Sequence, residues 1–229
     1  MIDVNIEDFK NLLSMAGAFA SEATFIVRDN RLEVMVIDTA HVAMARGSIP
    51  LASKPDVDRF TIDIEKAIKA IGTTGSNISI QVGEGVMVLK GEKSKASISL
   101  FASSNNDIRK VPNYEVTAYA EIVPSRLKTT LAFGQYAKAD YVRIQIEEGV
   151  LHISTGVYPN IAEIEGDEVG AGTAMAGFMM DYVHTVADLA SKAKCNLKVN
   201  LGGDDYPVLF EWGNENAKYS VLVAPRIES

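Results

Sequence analysis

Cysteine, histidine and cationic side chains are the scarce residues of this sequence, and each scarcity excludes a class of function. The lone Cys195 rules out an internal disulfide and a multi-cysteine metal site. It reads as a small buried residue near a helix end. The three histidines, His41, His152 and His184, are scattered with no metal-ligand spacing, and no serine or cysteine sits in a nucleophile elbow. Catalytic residues, metal ligands and cofactors are therefore expected to be none. The glycines of 72–75 and 202–205 lack the lysine of a phosphate loop and read as turns, and the acidic pairs Glu147-Glu148, Asp167-Glu168 and Asp204-Asp205 read as solvated turn residues. No apolar run approaches the roughly 20 residues that span a bilayer. Residues 1–10 lack the basic-then-apolar order of a secretory signal, so an intracellular protein with no membrane partner is expected. With 22 Lys and Arg against 30 Asp and Glu, the net charge is −8. That argues against a nucleic-acid partner unless the cations are clustered.

What is present is an order of elements that occurs twice. Ile6, Phe9, Leu12, Leu13 and Ala16 recur at helical spacing over 5–17, where Asn5 caps the start and Gly17 the end. A hairpin follows over 24–27 and 31–38 around Asp29-Asn30, then a strand at 42–49. A second helix covers 63–71, with Ile64, Ala67, Ile68 and Ile71 on one face, and strands at 77–82, 86–90 and 95–101 close the half. The stretch 101–124 has no helical stripe, carries Pro112 and Pro124, and reads as a connector. Beyond it the order returns. A helix covers 125–139 with Leu127, Thr130, Leu131 and Gly134 inward, and strands follow at 142–146, 150–155 and 160–165. A helix over 181–193 with Val183, Val186, Ala187 and Ala190 inward precedes strands at 196–201, 208–212 and 219–223. The offsets from Asp63 to Asp181, Ile78 to Leu197 and Val86 to Val208 are 118, 119 and 122, nearly constant. The expected fold class is α+β: two tandem, similar domains, each a helix pair backed by mostly antiparallel sheet. The expected limits are 1–103, a connector over 104–123, and 124–229.

The outward helix faces carry Lys10, Lys66, Lys69, Lys128 and Lys192, with Arg126 and Lys138 nearer the flanks. The helices are thus mildly positive on a negative chain. By itself this also describes ordinary solvated helix faces.

Short motifs add to the pattern. The run Leu222-Val223-Ala224-Pro225-Arg226-Ile227-Glu228 resembles the ending of PCNA-type DNA sliding clamps, and Asp38-Thr39-Ala40-His41-Val42-Ala43-Met44 is similar to their Asp-x-x-His-Val segment after the first hairpin. Asp204-Asp205-Tyr206-Pro207-Val208 and the order Ile108, Val111, Pro112 resemble the same family. The resemblance covers the whole chain in element order. It implies the DNA clamp fold, with three subunits closing head to tail into a homotrimeric ring whose helices line a hole for double-stranded DNA, bound without sequence preference. It implies a processivity factor for DNA replication and DNA repair, with no enzymatic activity. Lys10, Lys66, Lys69, Lys128, Lys192, Arg126 and Lys138 become the DNA-lining candidates, although Thr129 and Ala132 stand where such clamps often carry more basic character.

The resemblance also implies that DNA polymerase, clamp loader, nuclease and ligase dock short peptide motifs, the PIP-box type, against an apolar pocket. Carried over, that set is Ile37, His41, Val42, Ile108, Val111, Pro112, Pro207, Leu222, Ala224 and Pro225. Subunits would pair through the edge strands 95–101 and 160–165. The residues there are Lys95, Ile98 and Leu100 on one edge and Ile161, Glu163 and Glu165 on the other, where lysines meet glutamates. The implied location is cytoplasm and nucleoid in an archaeon, whose clamps the compact loops resemble, or nucleus in a eukaryote. Two other readings stay open: a clamp-like subunit of a heteromeric ring or ring-free polymerase accessory factor, and a duplicated scaffold or ligand-binding module that binds no DNA.

Overall fold

The computed structural model describes residues 4–52, 57–74, 79–83, 85–91, 93–102, 114–148, 150–157, 160–165, 171–204 and 206–226. The chain divides into two compact units, Met1–Lys110 with Glu215–Tyr219, and Val111–Asn214 with Ser220–Ser229. One element order, helix, four strands, helix, three strands, occurs twice along the chain.

The first unit opens with α1 (Ile6–Gly17), then β1 (Glu22–Arg28), β2 (Arg31–Ile37), β3 (Ala43–Pro50) and β4 (Arg59–Asp63). The helix α2 (Ile64–Thr74) leads to β5 (Ser79–Gly83), β6 (Val86–Lys90) and β7 (Lys95–Ser99). The Asn5 side chain accepts from the backbone N–H of Glu7 at 2.9 Å and Asp8 at 3.1 Å, which starts α1 where the capping signal places it. Asp29 and Asn30 both take positive φ, the geometry a two-residue hairpin turn needs to match strand twist. Strands β4, β1, β2 and β3 lie in that order, all antiparallel, and β5, β6 and β7 form a separate meander. Phe9 of α1, Phe25 of β1 and Phe60 of β4 meet in the core. Residues 215–219 join this unit through side chains: Arg31 donates to the Asn216 carbonyl at 2.6 Å while gripping Ser48, and the Tyr219 hydroxyl donates to the Asp8 carbonyl at 3.1 Å.

The second unit comprises β8 (Ala118–Ile122), α3 (Pro124–Tyr136), β9 (Tyr141–Glu147), β10 (Val150–Val157), β11 (Asn160–Glu165) and β12 (Ala174–Met179). It continues with α4 (Met180–Lys192), β13 (Leu197–Leu201) and β14 (Val208–Gly213). The last strand, β15 (Lys218–Val223), passes from the first unit to the second after Tyr219. Strands β11, β10, β9 and β12 form one antiparallel sheet, and β8, β13 and β14 pair antiparallel in that order. Helix α3 lies against β10 at Gly134, where a Cβ would stand 2.2 Å from the Thr155 hydroxyl.

Three strands were not expected from the sequence. The connector read over 101–124 contains β8, whose Ala118, Ala120 and Ile122 face the core while Tyr119 and Glu121 face out. Its outer edge exchanges two hydrogen bonds between Tyr119 and Ala171. The neighbouring Gly172 has φ +79° and a Cβ there would fall 2.0 Å from the Thr117 carbonyl, so only glycine closes that edge. The strands β4 and β12 are likewise additions to the expected order.

Candidate nucleic-acid and partner interfaces

Each unit presents a helix pair, α1 with α2 and α3 with α4, whose apolar stripes are mostly buried; Ile68 of α2, expected inward, is instead 41% exposed because it lies at the edge of its stripe, and Thr130 of α3 is buried as expected. Lys10, Lys66, Lys69, Lys128 and Lys192 lie on the outer sides of their helices, and the first four are held by a carboxylate. In the first unit Lys10 pairs with Glu7 at 3.2 Å, Lys66 with Asp63 at 3.1 Å, and Lys69 with Glu65 one turn away. Asp63 also accepts from the Lys66 backbone N–H at 2.9 Å, closing the first turn of α2. That bond, with the Lys66 ammonium, lowers the Asp63 pKa, while the bond from Lys69 to Glu65 raises that of Lys69.

In the second unit one carboxylate joins the two helices. Asp188 of α4 accepts from Lys128 of α3 at 2.5 Å, and its other oxygen lies 3.7 Å from His184 Nδ1. The Lys128 hydrogen bond is the main reason the Asp188 pKa is held below the ordinary carboxylate value. Both side chains of that pair are about one-third exposed, whereas in each pair of the first unit at least one member, Glu7, Lys66 or Lys69, is 70% or more exposed, so the interhelix pair is the more evenly shielded. Lys192 in the last turn of α4 and Lys138, just past the end of α3 with φ 57°, are exposed; Arg126 is half-buried. Thr129 and Ala132 are exposed on α3, beside Phe133 and Tyr136, the latter 87% exposed.

The residues expected to receive partner peptides fall in three places. In the first unit Asp38, at the end of β2, folds a tight loop: its carboxylate accepts from the N–H groups of Ala40, Val42 and Ala43 at 3.0, 2.8 and 2.6 Å. This holds His41 exposed at φ +58°, flanked by the half-buried Ile37 and Val42. A left-handed non-glycine residue held by its surroundings is a common trait of functional loops. Ile108, Val111 and Pro112 lie outside the described residues. In the second unit Pro207, Leu222, Ala224 and Pro225 are all half-buried. The chain end beside them is pinned by Arg226: its N–H donates to the Gly177 carbonyl of β12 at 2.8 Å, and its guanidinium pairs with Asp140 at 2.9 Å and covers the Tyr141 ring.

Tyr114, which the sequence reading passed over, anchors the chain two residues after Pro112. Its single hydroxyl proton is shared between the carbonyls of Asn200 at 2.8 Å and Pro207 at 2.7 Å, and burial pushes its pKa up to about 12. A tyrosine whose folded pKa is raised stabilises fully below its unfolded value of about 10, and that contribution is lost as pH rises through about 12. Tyr114→Phe is expected to cost about 1 kcal/mol at neutral pH. Urea titrations of the two proteins should show that difference shrinking between neutral and strongly alkaline pH.

On the expected subunit edges, among the described residues β7 pairs with β6 and β11 with β10, while Phe101, at the end of the expected edge 95–101, bridges to Thr61 of β4. Lys95 is exposed on β7 and Leu100 half-buried beyond it, while Ile98 turns into the core of its own unit at 4% exposure. Ile161, Glu163 and Glu165 stand opposite Gly156, Ser154 and His152 of β10. Cys195 is half-buried just past α4, and no group of three metal-ligating side chains occurs among the described residues. Nor is any helix among them long and apolar enough to cross a membrane.

Comparison with solved structures decides what this arrangement is. The PCNA of A. fulgidus, solved with the C-terminal region of FEN-1 bound, superposes with a TM-score of 0.87 over 100% of both chains at 21% identity. The chain has the fold of the PCNA-type DNA sliding clamps. The PCNA2–PCNA3 complex of Sulfolobus tokodaii gives a TM-score of 0.82 at 16% identity and Thermococcus kodakaraensis PCNA 0.84 at 15%, each over 99% of both chains. Curated proteins named DNA polymerase sliding clamp match end to end. That of Methanococcus maripaludis is 25% identical over 257 residues, covering 98% of each chain, and that of Thermoplasma volcanium 25% over 247 residues, covering 99% and 98%. No protein-family model matches the chain. The full-length likeness to sliding clamps supports a clamp function in DNA replication, and it is to clamps, rather than to enzymes, that the clamp fold and these names relate the chain.

Proposed function

We propose that this protein is a DNA polymerase processivity factor that closes as a homotrimeric ring around duplex DNA and tethers replication and repair enzymes through short peptides, without catalysing a reaction itself. The observation that carries the reading is the end-to-end match to sliding clamps by a chain in which the helix-pair unit occurs twice. Ring closure supplies topology in place of affinity, so helix faces that meet phosphates need only a weak positive character and no contact to base edges. The subunits join when β7 of one copy pairs with β11 of the next, a head-to-tail contact that closes by rotation.

Partner peptides anchor on Val111 and Pro112 and on the half-buried Pro207, Leu222, Ala224 and Pro225, with Ile37, His41, Val42 and Ile108 of the first unit also serving partner binding. The A. fulgidus neighbour was solved with the C-terminal region of a nuclease, FEN-1, bound, which supports peptide docking. Clamp loader, polymerase and ligase would use the same mode. A mixed ring is the second reading, favoured by the Sulfolobus tokodaii neighbour, which is a complex of two different PCNA chains.

Primed circular DNA tests the proposal. Added to an archaeal replicative polymerase and clamp loader, the protein is expected to lengthen the products, and Val111→Glu with Pro112→Glu to remove that stimulation while leaving assembly intact. Stimulation that survives the double change would refute the peptide-site assignment.

A further inference from the structure

The ion pair between the two helices of the second unit points to a residue that limits DNA affinity. Among the lysines placed on the helix faces, Lys10 and Lys69 are held by acids of their own helix and Lys66 by the residue just before its helix. In each of these pairs at least one member is 70% or more exposed, so the pair is weak and a phosphate competes with it at little cost. Lys128 is different. Its partner, Asp188, comes from the neighbouring helix, the contact is 2.5 Å, and neither side chain is more than 38% exposed. Lys192 stands one turn beyond Asp188 on the same helix and His184 one turn before it, so this carboxylate faces three potential cations. A phosphate approaching this surface meets an acid at the centre of its basic cluster.

We propose that Asp188 acts as a brake on DNA contact: by holding Lys128 across the helix pair it withdraws that lysine from phosphate binding and keeps the surface weakly adhesive. The inference rests on the reading of these helices as the DNA-facing surface. A ring held by topology gains mobility from such a brake, because every released phosphate contact lowers the friction of sliding. The ligand concerned is the phosphate backbone of duplex DNA, recognised by charge alone.

Fluorescence anisotropy of the full-length protein with a short labelled duplex, across a salt series, tests this. Asp188→Asn keeps the shape and removes the charge. It is expected to tighten binding at low salt by roughly two- to fivefold, the worth of one freed surface cation. It should also steepen the dependence of log K on log salt by about one unit, so that the gain falls roughly 3.5-fold for each fourfold rise in salt. Asp181→Asn, in the first turn of the same helix, controls for the change in net charge, and Lys128→Ala combined with Asp188→Asn should show no gain. The proposal is overturned if Asp188→Asn tightens binding no more than Asp181→Asn, or if the gain persists without Lys128. Lys66→Glu with Lys69→Glu separates the two levels of the reading. If that pair weakens duplex binding while Asp188→Asn behaves like its control, the DNA-facing surface stands and the brake does not. If it leaves duplex binding unchanged, the DNA-facing surface fails and the brake with it.

Discussion

Replacing Phe25 by alanine is expected to lower the stability of the first unit by about 3–5 kcal/mol. Phe25 is fully buried and lies opposite Phe60 in the β1–β4 pairing, with ring centroids 5.3 Å apart and planes within 11°. On its other side Phe9 of α1 approaches to 6.2 Å at a tilt of 58°. One ring therefore joins a helix to two strands, and its removal leaves a cavity between the fully buried Phe9 and the buried Phe60 that a core at native packing density closes only in part. Domains of this size are stable by only about 5–15 kcal/mol, so the loss is a large part of the total. Urea titration followed by circular dichroism should show an early transition for the first unit, with the second unfolding at its ordinary midpoint. A loss below about 1 kcal/mol would mean that the site relaxes and the three rings are not a unit.

Lys95→Glu is expected to break the ring. Lys95 is exposed on the edge strand β7, and on the proposed assembly it faces the β11 edge that carries Glu163 and Glu165. Reversal replaces an attraction by a repulsion, each worth up to about 1 kcal/mol at a partly exposed contact. A closed ring repeats the change at every joint. Dissociation is therefore expected at concentrations roughly tenfold higher than for the unaltered chain, since each 1.4 kcal/mol is a factor of ten. Added salt should narrow the gap. Combining Lys95→Glu with Glu163→Lys and Glu165→Lys should restore assembly, which separates a charge effect from a damaged fold. A Lys95→Glu protein that keeps its assembled mass at high dilution would remove this pair of edges from the interface.

The helices were legible because their apolar residues recur with little ambiguity. Phe9, Leu12, Leu13 and Ala16 give one stripe and Val183, Val186, Ala187 and Ala190 another, and all are buried. Strands built from small residues were not legible. In β8 the inward positions are Ala118, Ala120 and Ile122, and in β12 they are Ala174, Ala176 and Phe178, so the alternation has too little contrast to stand out. The strand β4 hid for the opposite reason: Phe60, Thr61 and Ile62 are all buried, a run without alternation. The prolines of the 101–124 stretch do not interrupt β8, because the strand lies wholly between Pro112 and Pro124.

At the candidate sites, helical spacing placed the lysines on outward faces but could not show what holds them. An (i,i+4) pair such as Lys69 with Glu65 is written in the sequence. The bond from Lys128 to Asp188 joins residues sixty positions apart and appears only once α3 packs on α4. The same is true of Tyr114, whose acceptors Asn200 and Pro207 are brought to it by the β8–β13 pairing and the turn that follows. Asp38 is a local case that could have been read: an aspartate followed by a short polar turn is an Asx-type signal, and its carboxylate does bind the N–H groups two to five residues on.

The central claim is a ring of identical subunits, and light scattering of the purified protein over a dilution series tests it most directly. A mass near three times 24.8 kDa that persists on dilution is the predicted result. A mass that stays at 24.8 kDa at every concentration would contradict the homotrimeric ring.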